Sequence, residues 1–500
     1  MNLYLGFLKG VERFRENTAL EWDGGRKTFE ELAGAANIAG HALAQRVEGQ
    51  QKTVGLLIPN TPYFPIALLG LLGAGHIAVP LNPLLNPEEM ALLLDHSESS
   101  ILIYDPYLEE KAQAAVQQTH TGIEAVNIVD LLQQPDATPS PLPGEAKPED
   151  LSMILYTSGT TGDPKGVMLS HHNVLSNVES FSSVYHFSEE DTIAGVLPLF
   201  HTFGMTAVLF AGFMNGCRIY LFPQFQAQPL LDLVMNDKNI ILMAVPPMLH
   251  VLARYAPEEA AQKHGFRLVI SGGGPLPVDI AHLFEQKFQH EVLEGYGLTE
   301  TSPVVSFNRP GQNRIGTIGQ VLPGVEVEVR DQEGHVLPPG EPGELCIRGE
   351  NVMVGYFKND EGTKATFWPN GWFRSGDMAK QDEQGYIQIV GRLKDTIVSG
   401  GENIYPREIE ETLLKFPGVL EAAVVGKPHK MRSEIPYAFI VLGEGVDGQV
   451  NESALRHHCR DHLAEYKIPA GFEFIVEMPK TATKKIQKER LKARFADEEG

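Results

Sequence analysis

Apolar and polar positions along the chain follow two different periods. Short runs rich in β-branched residues, such as TVGLLI at 53–58, LVIS at 268–271 and AAVVG at 422–426, are typical of buried strands. Elsewhere the apolar residues recur every three or four positions, as they do after Ser170, a residue type that caps helices. A second helical segment covers 451–465. The alternation of the two patterns predicts an α/β fold.

Two longer apolar stretches, 64–79 and 192–222, are candidates for membrane spans. The first is shorter than the roughly 18 residues that a spanning helix needs. The second is interrupted by Pro198 and Arg218, among other polar or helix-breaking residues. We therefore expect no transmembrane span and interpret both stretches as buried core elements. Peripheral contact with a membrane stays open.

Composition and charge narrow the class of protein. The 500 residues include 41 Lys and Arg against 64 Asp and Glu, a net charge of −23, which disfavours nucleic-acid binding. The N-terminus has no basic segment followed by an apolar one, which argues against a cleaved signal peptide. Cys217, Cys346 and Cys459 are far apart and form no CxxC pair, so neither a disulfide framework nor a zinc site is predicted. These features predict a cytoplasmic protein.

The charge is also unevenly distributed. Residues 394–500 carry 16 basic and 18 acidic side chains, so nearly all of the net negative charge belongs to residues 1–393. Within the C-terminal part, 480–494 holds seven basic residues and one acidic residue. Such a run is most often a solvated tail or a membrane-surface patch.

One segment, LYTSGTTGDPKG at 155–166, has the composition of a phosphate-binding loop. It follows an apolar run and precedes the helix after Ser170, so we expect a strand, a loop and a helix in that order. Glycines let backbone N–H groups converge on an anion, while hydroxyls and a lysine add donors and charge. The spacing differs from that of the P-loop NTPases. A plain surface turn would explain the glycines but not all the hydroxyls. The residues concerned are Thr157, Ser158, Gly159, Thr160, Thr161, Gly162 and Lys165.

With six further motifs in the same order, the chain resembles the adenylate-forming superfamily, which includes acyl-CoA synthetases, aryl-CoA ligases, peptide-synthetase adenylation domains and luciferases. The motifs are PLFHTFGM at 198–205, SGGGPLP at 271–277, EGYGLTET at 294–301, GWFRSGD at 371–377, GRLKDTIVSGGENIYPREIE at 391–410 and PKTATKKIQK at 479–488. The resemblance implies a large N-terminal domain, 1–393, of two α/β subdomains plus a β-barrel-like subdomain. A small mobile α/β domain, 394–500, is implied to follow, hinged at Lys394.

The resemblance also implies the chemistry. A carboxylic acid attacks the α-phosphate of ATP to give an acyl-adenylate and pyrophosphate, and the thiol of coenzyme A then takes the acyl group and releases AMP. Because the reacting groups are anions, the protein has to supply local positive charge and oriented donors. The resemblance gives Mg²⁺ two protein ligands, Glu300 and Thr157. Few protein oxygens are enough for Mg²⁺ when it also binds phosphate and water.

Other positions take nucleotide-binding roles from the same resemblance. Tyr296 corresponds to the aromatic residue on which adenine stacks, and the glycine-rich SGGGPLP backbone covers the other face. Asp377 corresponds to the acceptor for the ribose hydroxyls, since a carboxylate suits two hydroxyl donors. Arg392 corresponds to a ribose and phosphate contact, with a surface salt bridge as the alternative. The remaining predicted nucleotide contacts in these motifs are Gly273, Gly274, Glu294, Gly295, Gly297 and Thr299.

The catalytic lysine is assigned to Lys485, which would bridge the carboxylate substrate and the α-phosphate. The family usually has glycine and lysine at this point, whereas this chain has Lys484 and Lys485. The register from Pro479 favours Lys485, and Lys484 stays a competitor. Because glycine is the more flexible residue, its replacement leads us to expect adenylation that is intact but slowed.

The acid-binding and CoA-binding regions are assigned by the same comparison of motifs. His201 corresponds to the gate between the acyl and CoA tunnels, although a packed core histidine is the alternative. Gly204 and Met205 are expected to line the acyl pocket, and a flexible Met suits an alkyl chain. The pair Gly400 and Gly401 corresponds to the strip that lines the pantetheine tunnel.

The acid itself is chosen among the substrate classes of the superfamily. A medium- to long-chain fatty acid is our first choice, and an aryl or dicarboxylic acid is the second. A catalytically impaired nucleotide sensor is a remote alternative from another functional class. The sequence leaves the oligomeric state open, with a homodimer as one option.

Overall fold

The computed structural model describes residues 1–133, 142–157, 164–400, 402–443, 450–480 and 486–498. The helices are α1 Leu3–Phe14, α2 Phe29–Ala44, α3 Tyr63–Gly73, α4 Pro87–His96, α5 Glu109–Val116, α6 Ile128–Leu132, α7 His171–Tyr185, α8 Ala211–Asn215, α9 Ala227–Asn236, α10 Pro246–Tyr255, α11 Glu258–Lys263, α12 Val278–Phe288, α13 Asp360–Ala365, α14 Pro406–Leu414, α15 Glu452–His462 and α16 Lys488–Lys492.

The strands are β1 Thr18–Trp22, β2 Gly25–Thr28, β3 Thr53–Leu57, β4 Ile77–Pro80, β5 Ile101–Tyr104, β6 Glu124–Asn127, β7 Leu151–Thr157, β8 Lys165–Ser170, β9 Thr192–Gly195, β10 Arg218–Leu221, β11 Ile240–Ala244, β12 Phe266–Ser271, β13 Leu293–Gly297, β14 Val304–Phe307, β15 Gln320–Val321, β16 Val325–Arg330, β17 Gly343–Gly349, β18 Gly355–Tyr356, β19 Phe373–Gln381, β20 Ile387–Arg392, β21 Ile397–Ser399, β22 Glu402–Ile404, β23 Val419–His429, β24 Ser433–Leu442 and β25 Gly471–Phe474.

The chain divides into two compact units. The first contains Met1–Val327 and Ile347–Phe373, and the second contains Glu328–Cys346 and Arg374–Gly500. The mixed α/β architecture predicted from the sequence is confirmed, with a large N-terminal part and a small C-terminal part.

A seven-stranded sheet in the first unit carries the predicted phosphate loop. Its order is β18-β8-β7-β4-β3-β5-β6, with parallel pairs from β7 to β6 and antiparallel pairs at β7-β8 and β8-β18. Strands β3, β4 and β5 are buried along their whole length, as expected for parallel strands covered on both faces. The edge that contains β8 and β18 is the one that positions the site.

A nine-stranded sheet in the same unit carries the other predicted nucleotide motifs. Its order is β15-β14-β13-β12-β11-β9-β10-β1-β2, and the strands from β13 to β1 run parallel. The SGGGPLP motif begins at the carboxyl end of β12, and the EGYG motif begins within β13. Ligands of open α/β sheets bind beyond the carboxyl ends of the strands, so this edge is where chemistry is expected.

The second unit contains a five-stranded sheet, β22-β21-β24-β23 with β25 beside β24. A four-stranded sheet, β16-β17-β19-β20, belongs mostly to this unit as well. These four strands correspond to the predicted β-barrel-like subdomain. In the described ranges they form an open path in which the end strands β16 and β20 do not pair, so no closed barrel is present.

The two long apolar stretches lie in the core of the first unit. Residues 64–79 form most of the buried helix α3 and strand β4. Residues 192–222 include β9, the buried π-helix Gly204–Phe210, α8 and β10. No helix in the described part of the chain is long and apolar enough to cross a membrane.

All three cysteines are buried thiols. Burial raises the pKa of the Cys459 thiol to about 11 and raises the pKa of Cys217 as well. Because the thiolate is the reactive form, both side chains are packing residues rather than nucleophiles.

The predicted order of strand, loop and helix around the phosphate loop is wrong in one respect. Lys165–Ser170 forms strand β8, and helix α7 begins only at His171. The N-cap is Ser170 as expected, and its hydroxyl accepts a hydrogen bond from the backbone N–H of Asn173 at 3.1 Å. Strands β7 and β8, which precede and follow the loop in sequence, are therefore antiparallel neighbours.

Candidate active site

The two ends of the predicted phosphate loop face each other across a strand pair. Thr157 is the last residue of β7, and Lys165, the first of β8, is its partner in the antiparallel register. The loop thus starts and ends at the edge of a sheet whose ladder holds its base. Ser158, Gly159, Thr160, Thr161 and Gly162 lie outside the described residues.

Tyr156, next to Thr157, is held from the side by helix α4. Its hydroxyl lies 2.7 Å from Nδ1 of His96, and the two rings contact edge to face. Burial raises the pKa of Tyr156, so its hydroxyl stays protonated. This contact fixes the base of the loop against a second element.

Strand β18 brings a tyrosine that the sequence motifs did not assign. Tyr356 pairs with Val167 of β8, and its ring lies 5.6 Å from Nζ of Lys165. Its hydroxyl donates a hydrogen bond to Oε1 of Glu300 at 2.9 Å. Burial and the charge of Glu300 raise the pKa of Tyr356, so the hydroxyl is a donor at neutral pH. Lys165 of the predicted phosphate loop and Glu300, the predicted metal ligand, thus both contact the Tyr356 side chain.

Glu300 lies in a short 3-10 helix, Thr299–Thr301, that follows β13. The backbone N–H of Met353 donates to the carbonyl of Glu300 at 2.8 Å. Asn351 donates from Nδ2 to the carbonyl of Thr301 at 2.8 Å. The segment before β18 therefore holds the backbone of this turn, and Tyr356 holds the Glu300 side chain.

Helix α7 supports the start of β14, which follows this turn, and the segment before β18 with polar side chains. Asn177 is buried, donates to the carbonyl of Val304 at 2.7 Å and accepts from its N–H at 3.0 Å. Asn173 donates to the carbonyls of Glu350 and Val352 at 2.7 and 2.9 Å. One helix face thus fixes two segments far apart in sequence.

Tyr296, the predicted adenine contact, is partly exposed in β13 between two glycines. Both glycines are required by packing against the segment that follows. A Cβ at Gly295 would lie 1.6 Å from the Phe307 ring, and one at Gly297 would lie 2.0 Å from the Pro303 carbonyl oxygen. The glycines predicted as nucleotide contacts therefore have a packing role in placing Tyr296.

Glu294 is buried and joins the EGYG motif to the SGGGPLP motif. Its Oε1 accepts a hydrogen bond from the backbone N–H of Leu276 at 2.9 Å. In the SGGGPLP segment, Gly273 is exposed and Gly274 is partly exposed. This hydrogen bond thus joins the strand that carries Tyr296 to the SGGGPLP segment.

The predicted gate, His201, is partly exposed, and its Nδ1 accepts a hydrogen bond from the N–H of Phe203 at 3.3 Å. Phe203 packs closely against the SGGGPLP segment: a Cβ added at Gly272 would lie 2.9 Å from the Phe203 ring. Gly204 is the first residue of the π-helix, and a Cβ there would lie 2.3 Å from the Pro198 carbonyl oxygen.

Met205, predicted to line the acyl pocket, is completely buried in the π-helix. Polar atoms are buried beside it. The hydroxyls of Thr202 and Thr206 have no hydrogen-bond partner among the described atoms. This region therefore combines an apolar side chain with two buried hydroxyl groups that have hydrogen-bonding capacity left over.

Asp377 and Arg392 are opposite each other in β19 and β20 of the second unit. Asp377 is buried, and its Oδ1 lies 3.2 Å from Nε of the half-exposed Arg392. The salt bridge considered as an alternative for Arg392 is therefore present, and it holds the arginine beside the predicted ribose acceptor.

Lys394, the predicted hinge, is exposed in the 3-10 helix Leu393–Asp395. Gly400 has φ of +62° at the turn between β21 and β22, and its N–H donates to the Arg432 carbonyl at 2.9 Å. Gly401, Lys484 and Lys485 lie outside the described residues. A bridge between Lys480 and Ile486 joins the two sides of the lysine segment.

No cluster of three metal-binding side chains occurs in the described ranges. A single carboxylate with a hydroxyl is nevertheless a suitable protein contribution to an Mg²⁺ ion whose other ligands are phosphate and water. Glu300 and Thr157 have this donor chemistry, and Glu300 is held in place by Tyr356.

Comparison with known proteins shows which family the chain matches. A model of the family described as AMP-binding enzyme matches residues 7–357, and a model of the AMP-binding enzyme C-terminal domain matches 408–485. The sulfoacetate–CoA ligase of Cupriavidus necator is 33% identical over 472 residues, covering 93% of this chain and 92% of that protein. The long-chain-fatty-acid–CoA ligase of Bacillus subtilis is 32% identical over 524 residues, covering 96% and 92%.

Solved structures agree with the fold over the whole chain. ATP-bound MatB from Rhodopseudomonas palustris superposes with a TM-score of 0.92 at 30% identity, covering 100% of both chains. The o-succinylbenzoate CoA synthetase of Bacillus subtilis with ATP and magnesium ion superposes with a TM-score of 0.87 at 29% identity, covering 98% of this chain and 99% of that one.

Proposed function

Because the chain belongs to the AMP-binding enzyme family, the adenylate-forming acyl-CoA synthetases that use ATP with Mg²⁺ and coenzyme A, we propose that it converts a carboxylic acid to its CoA thioester in two steps. The acid first displaces pyrophosphate from ATP and forms an acyl-adenylate. The CoA thiol then displaces AMP. The observation that carries the proposal is the group formed by Lys165, Tyr356 and Glu300 beside the base of the phosphate loop.

In this proposal the loop from Thr157 to Lys165 binds the β- and γ-phosphates of ATP, and Tyr296 stacks on adenine. Asp377 accepts hydrogen bonds from the ribose hydroxyls, and the salt bridge to Arg392 orients its carboxylate. Glu300 and Thr157 would hold Mg²⁺, which would offset part of the phosphate charge.

Lys485 is proposed to neutralise the repulsion between the attacking carboxylate and the α-phosphate. The experiment replaces Lys485 and Lys484 with alanine separately and measures acid-dependent exchange between ATP and pyrophosphate. We expect Lys485→Ala to lose at least roughly a hundredfold in exchange rate, as removal of a key transition-state contact does, and Lys484→Ala to keep most of it. Retained exchange in Lys485→Ala, with loss in Lys484→Ala, would reassign the role to Lys484.

The proposed division of labour along the chain is that residues 1–393 bind ATP and the acid, whereas 394–500 move about Lys394. This movement would withdraw the lysine and present the Gly400 and Gly401 strip to the pantetheine arm of CoA. His201 would then close the acyl tunnel during adenylation and open it for the thiol. Since the three buried thiols suit reducing conditions, the cytoplasm is the proposed location.

For the acid we propose a medium- to long-chain fatty acid. The buried π-helix with Met205 supplies an apolar wall, and one relative is named for long-chain fatty acids. A panel of straight-chain acids from short to long, with CoA and ATP, would be assayed for AMP release. Highest kcat/KM at medium or long chain supports the proposal.

A second candidate acid is small and polar. The buried hydroxyls of Thr202 and Thr206 favour it, because an alkyl chain would leave them without partners, and one relative is named for sulfoacetate. The same panel should therefore include aryl, dicarboxylic and sulfonated acids. Activity with these alone would replace the fatty-acid assignment, while the absence of exchange with every acid would favour a nucleotide sensor.

A further inference from the structure

Tyr356 is fixed by its surroundings before it reaches Glu300. Its backbone lies in β18, paired with β8, and its N–H donates to Oγ1 of Thr363 at 2.9 Å. The residue is 5% exposed, so its ring has little freedom to turn. The hydroxyl therefore occupies a position set by the sheet.

From this position the Tyr356 hydroxyl contacts one oxygen of the Glu300 carboxylate. The 2.9 Å contact with Oε1 is a hydrogen bond in which the tyrosine donates, because an ionised carboxylate only accepts. A carboxylate held through one oxygen presents the other in a fixed direction. Mutation of a residue that orients a metal ligand in this way commonly lowers metal affinity by about 10- to 100-fold.

Both parts of Glu300 are held by one short segment. Met353 binds its main-chain carbonyl at 2.8 Å, and Tyr356 binds its side chain. The face of the same tyrosine ring contacts Lys165. The segment 353–356 thus couples the position of the predicted metal carboxylate to the strand that ends the phosphate loop.

We infer that Tyr356 is a positioning residue that aims the Glu300 carboxylate at the magnesium ion of the ATP complex. The inference rests on the proposed function, in which Glu300 is a magnesium ligand. Tyr356 itself contacts neither metal nor nucleotide in this scheme. Its removal should therefore weaken nucleotide binding only when magnesium is present.

The test is calorimetric titration of α,β-methylene-ATP into the full-length protein, with Mg²⁺ and with EDTA. For Tyr356→Phe, which keeps the ring beside Lys165, we expect about tenfold weaker binding with Mg²⁺ and a change below about twofold with EDTA. In a Glu300→Gln background, adding Tyr356→Phe should change neither affinity, because the tyrosine acts through the carboxylate.

The matched control is Tyr185→Phe. Tyr185 is also a buried tyrosine, and its hydroxyl donates to the Asn308 carbonyl at 2.8 Å rather than to a carboxylate. We expect it to leave both affinities within about twofold of the unmodified protein.

Two results would overturn the inference while leaving the proposed function intact. One is unchanged magnesium-dependent affinity in Tyr356→Phe when Glu300→Gln has lost it. The other is an equal loss with Mg²⁺ and with EDTA, which would mean a general structural role. If Glu300→Gln keeps the full magnesium effect, the metal assignment and this inference both fail, and absence of nucleotide binding in the unmodified protein would contradict the proposed function itself.

Discussion

His171 is the first residue of α7 and is completely buried. Its Nδ1 accepts a hydrogen bond from the backbone N–H of Leu3 at 3.3 Å, which ties the start of α1 to α7. Its Nε2 has no partner among the described atoms. Burial lowers the pKa of His171 to about 4, since the imidazolium would be poorly solvated there.

This histidine should make the first unit sensitive to acid. Between about pH 6.5, where the unfolded chain titrates, and pH 4, the unfolded state binds a proton that the folded state does not, so stability falls as pH falls. We expect this group to cost about 2 kcal/mol of unfolding free energy between pH 7 and pH 5. His171→Gln should flatten that dependence in urea titrations followed by tryptophan fluorescence.

Tryptophan fluorescence reports on the first unit, and a neighbouring histidine supplies the control. Trp22, Trp368 and Trp372, the only tryptophans of the sequence, all belong to the first unit. The control is His172→Gln, at a half-exposed position of the same helix near Glu350. It should keep the acid dependence, and a flattened dependence in both variants would show that His171 is not the responsible group.

Sequence motifs predicted which residues would contact ligands. They did not indicate the residues whose hydrogen bonds fix those contact residues in place. Tyr356 is 56 positions from Glu300, and Asn177 is 127 positions from Val304. Contacts at such separations depend on strand order and helix placement, which no local pattern contains. A tyrosine after a glycine in a short apolar segment was the only local signal for Tyr356.

At the scale of elements, α7 connects the turn after β13 to the segment before β18. We expect Asn177→Ala to destabilise the first unit by about 2 kcal/mol, because two buried hydrogen bonds are lost and the backbone of Val304 is left unsatisfied. Urea titrations with tryptophan fluorescence measure the loss.

Ser183→Ala is the matched control for Asn177→Ala. Ser183 is exposed on the same helix, and its hydroxyl bonds only within that helix, to the Ser180 carbonyl. Its effect should stay below about 0.5 kcal/mol. Equal effects of the two variants would mean that helix propensity, and not the contact with Val304, decides the stability.

The sequence predicted the class of these elements better than their partners. The apolar runs became strands and the cap at Ser170 was correct, because both depend on neighbouring residues. Strand β8 was missed because it pairs with β18, almost two hundred residues later, as well as with β7. Its burial does not alternate, so it has no period-two signal.

At the scale of the molecule, the order of motifs predicted the family and the α/β architecture. The boundary at Lys394 stays a prediction. The two compact units divide within the four-stranded sheet, so most of that sheet is grouped with the C-terminal residues.

Lys394→Pro tests the hinge directly. Proline restricts φ at its own position and disfavours helical backbone at Leu393, so it should hinder a rotation about this point. We expect ATP–pyrophosphate exchange within about threefold of the unmodified enzyme and CoA-dependent AMP release lowered by at least about tenfold.

Lys394→Ala is the companion variant, since it removes the side chain and keeps backbone freedom. It should retain both activities. Equal losses of exchange and thioester formation in Lys394→Pro would contradict a hinge role, because they would indicate damage to a step that both measurements share.

The burial of all three cysteines makes this chain a convenient background for fluorescent labelling. Buried thiols react slowly with maleimides, and burial also raises the pKa of Cys217 and of Cys459, so a cysteine introduced at an exposed position would be labelled selectively. A donor dye on one compact unit and an acceptor on the other would then report their separation in single molecules during turnover. The native sequence needs no prior cysteine replacement for that measurement.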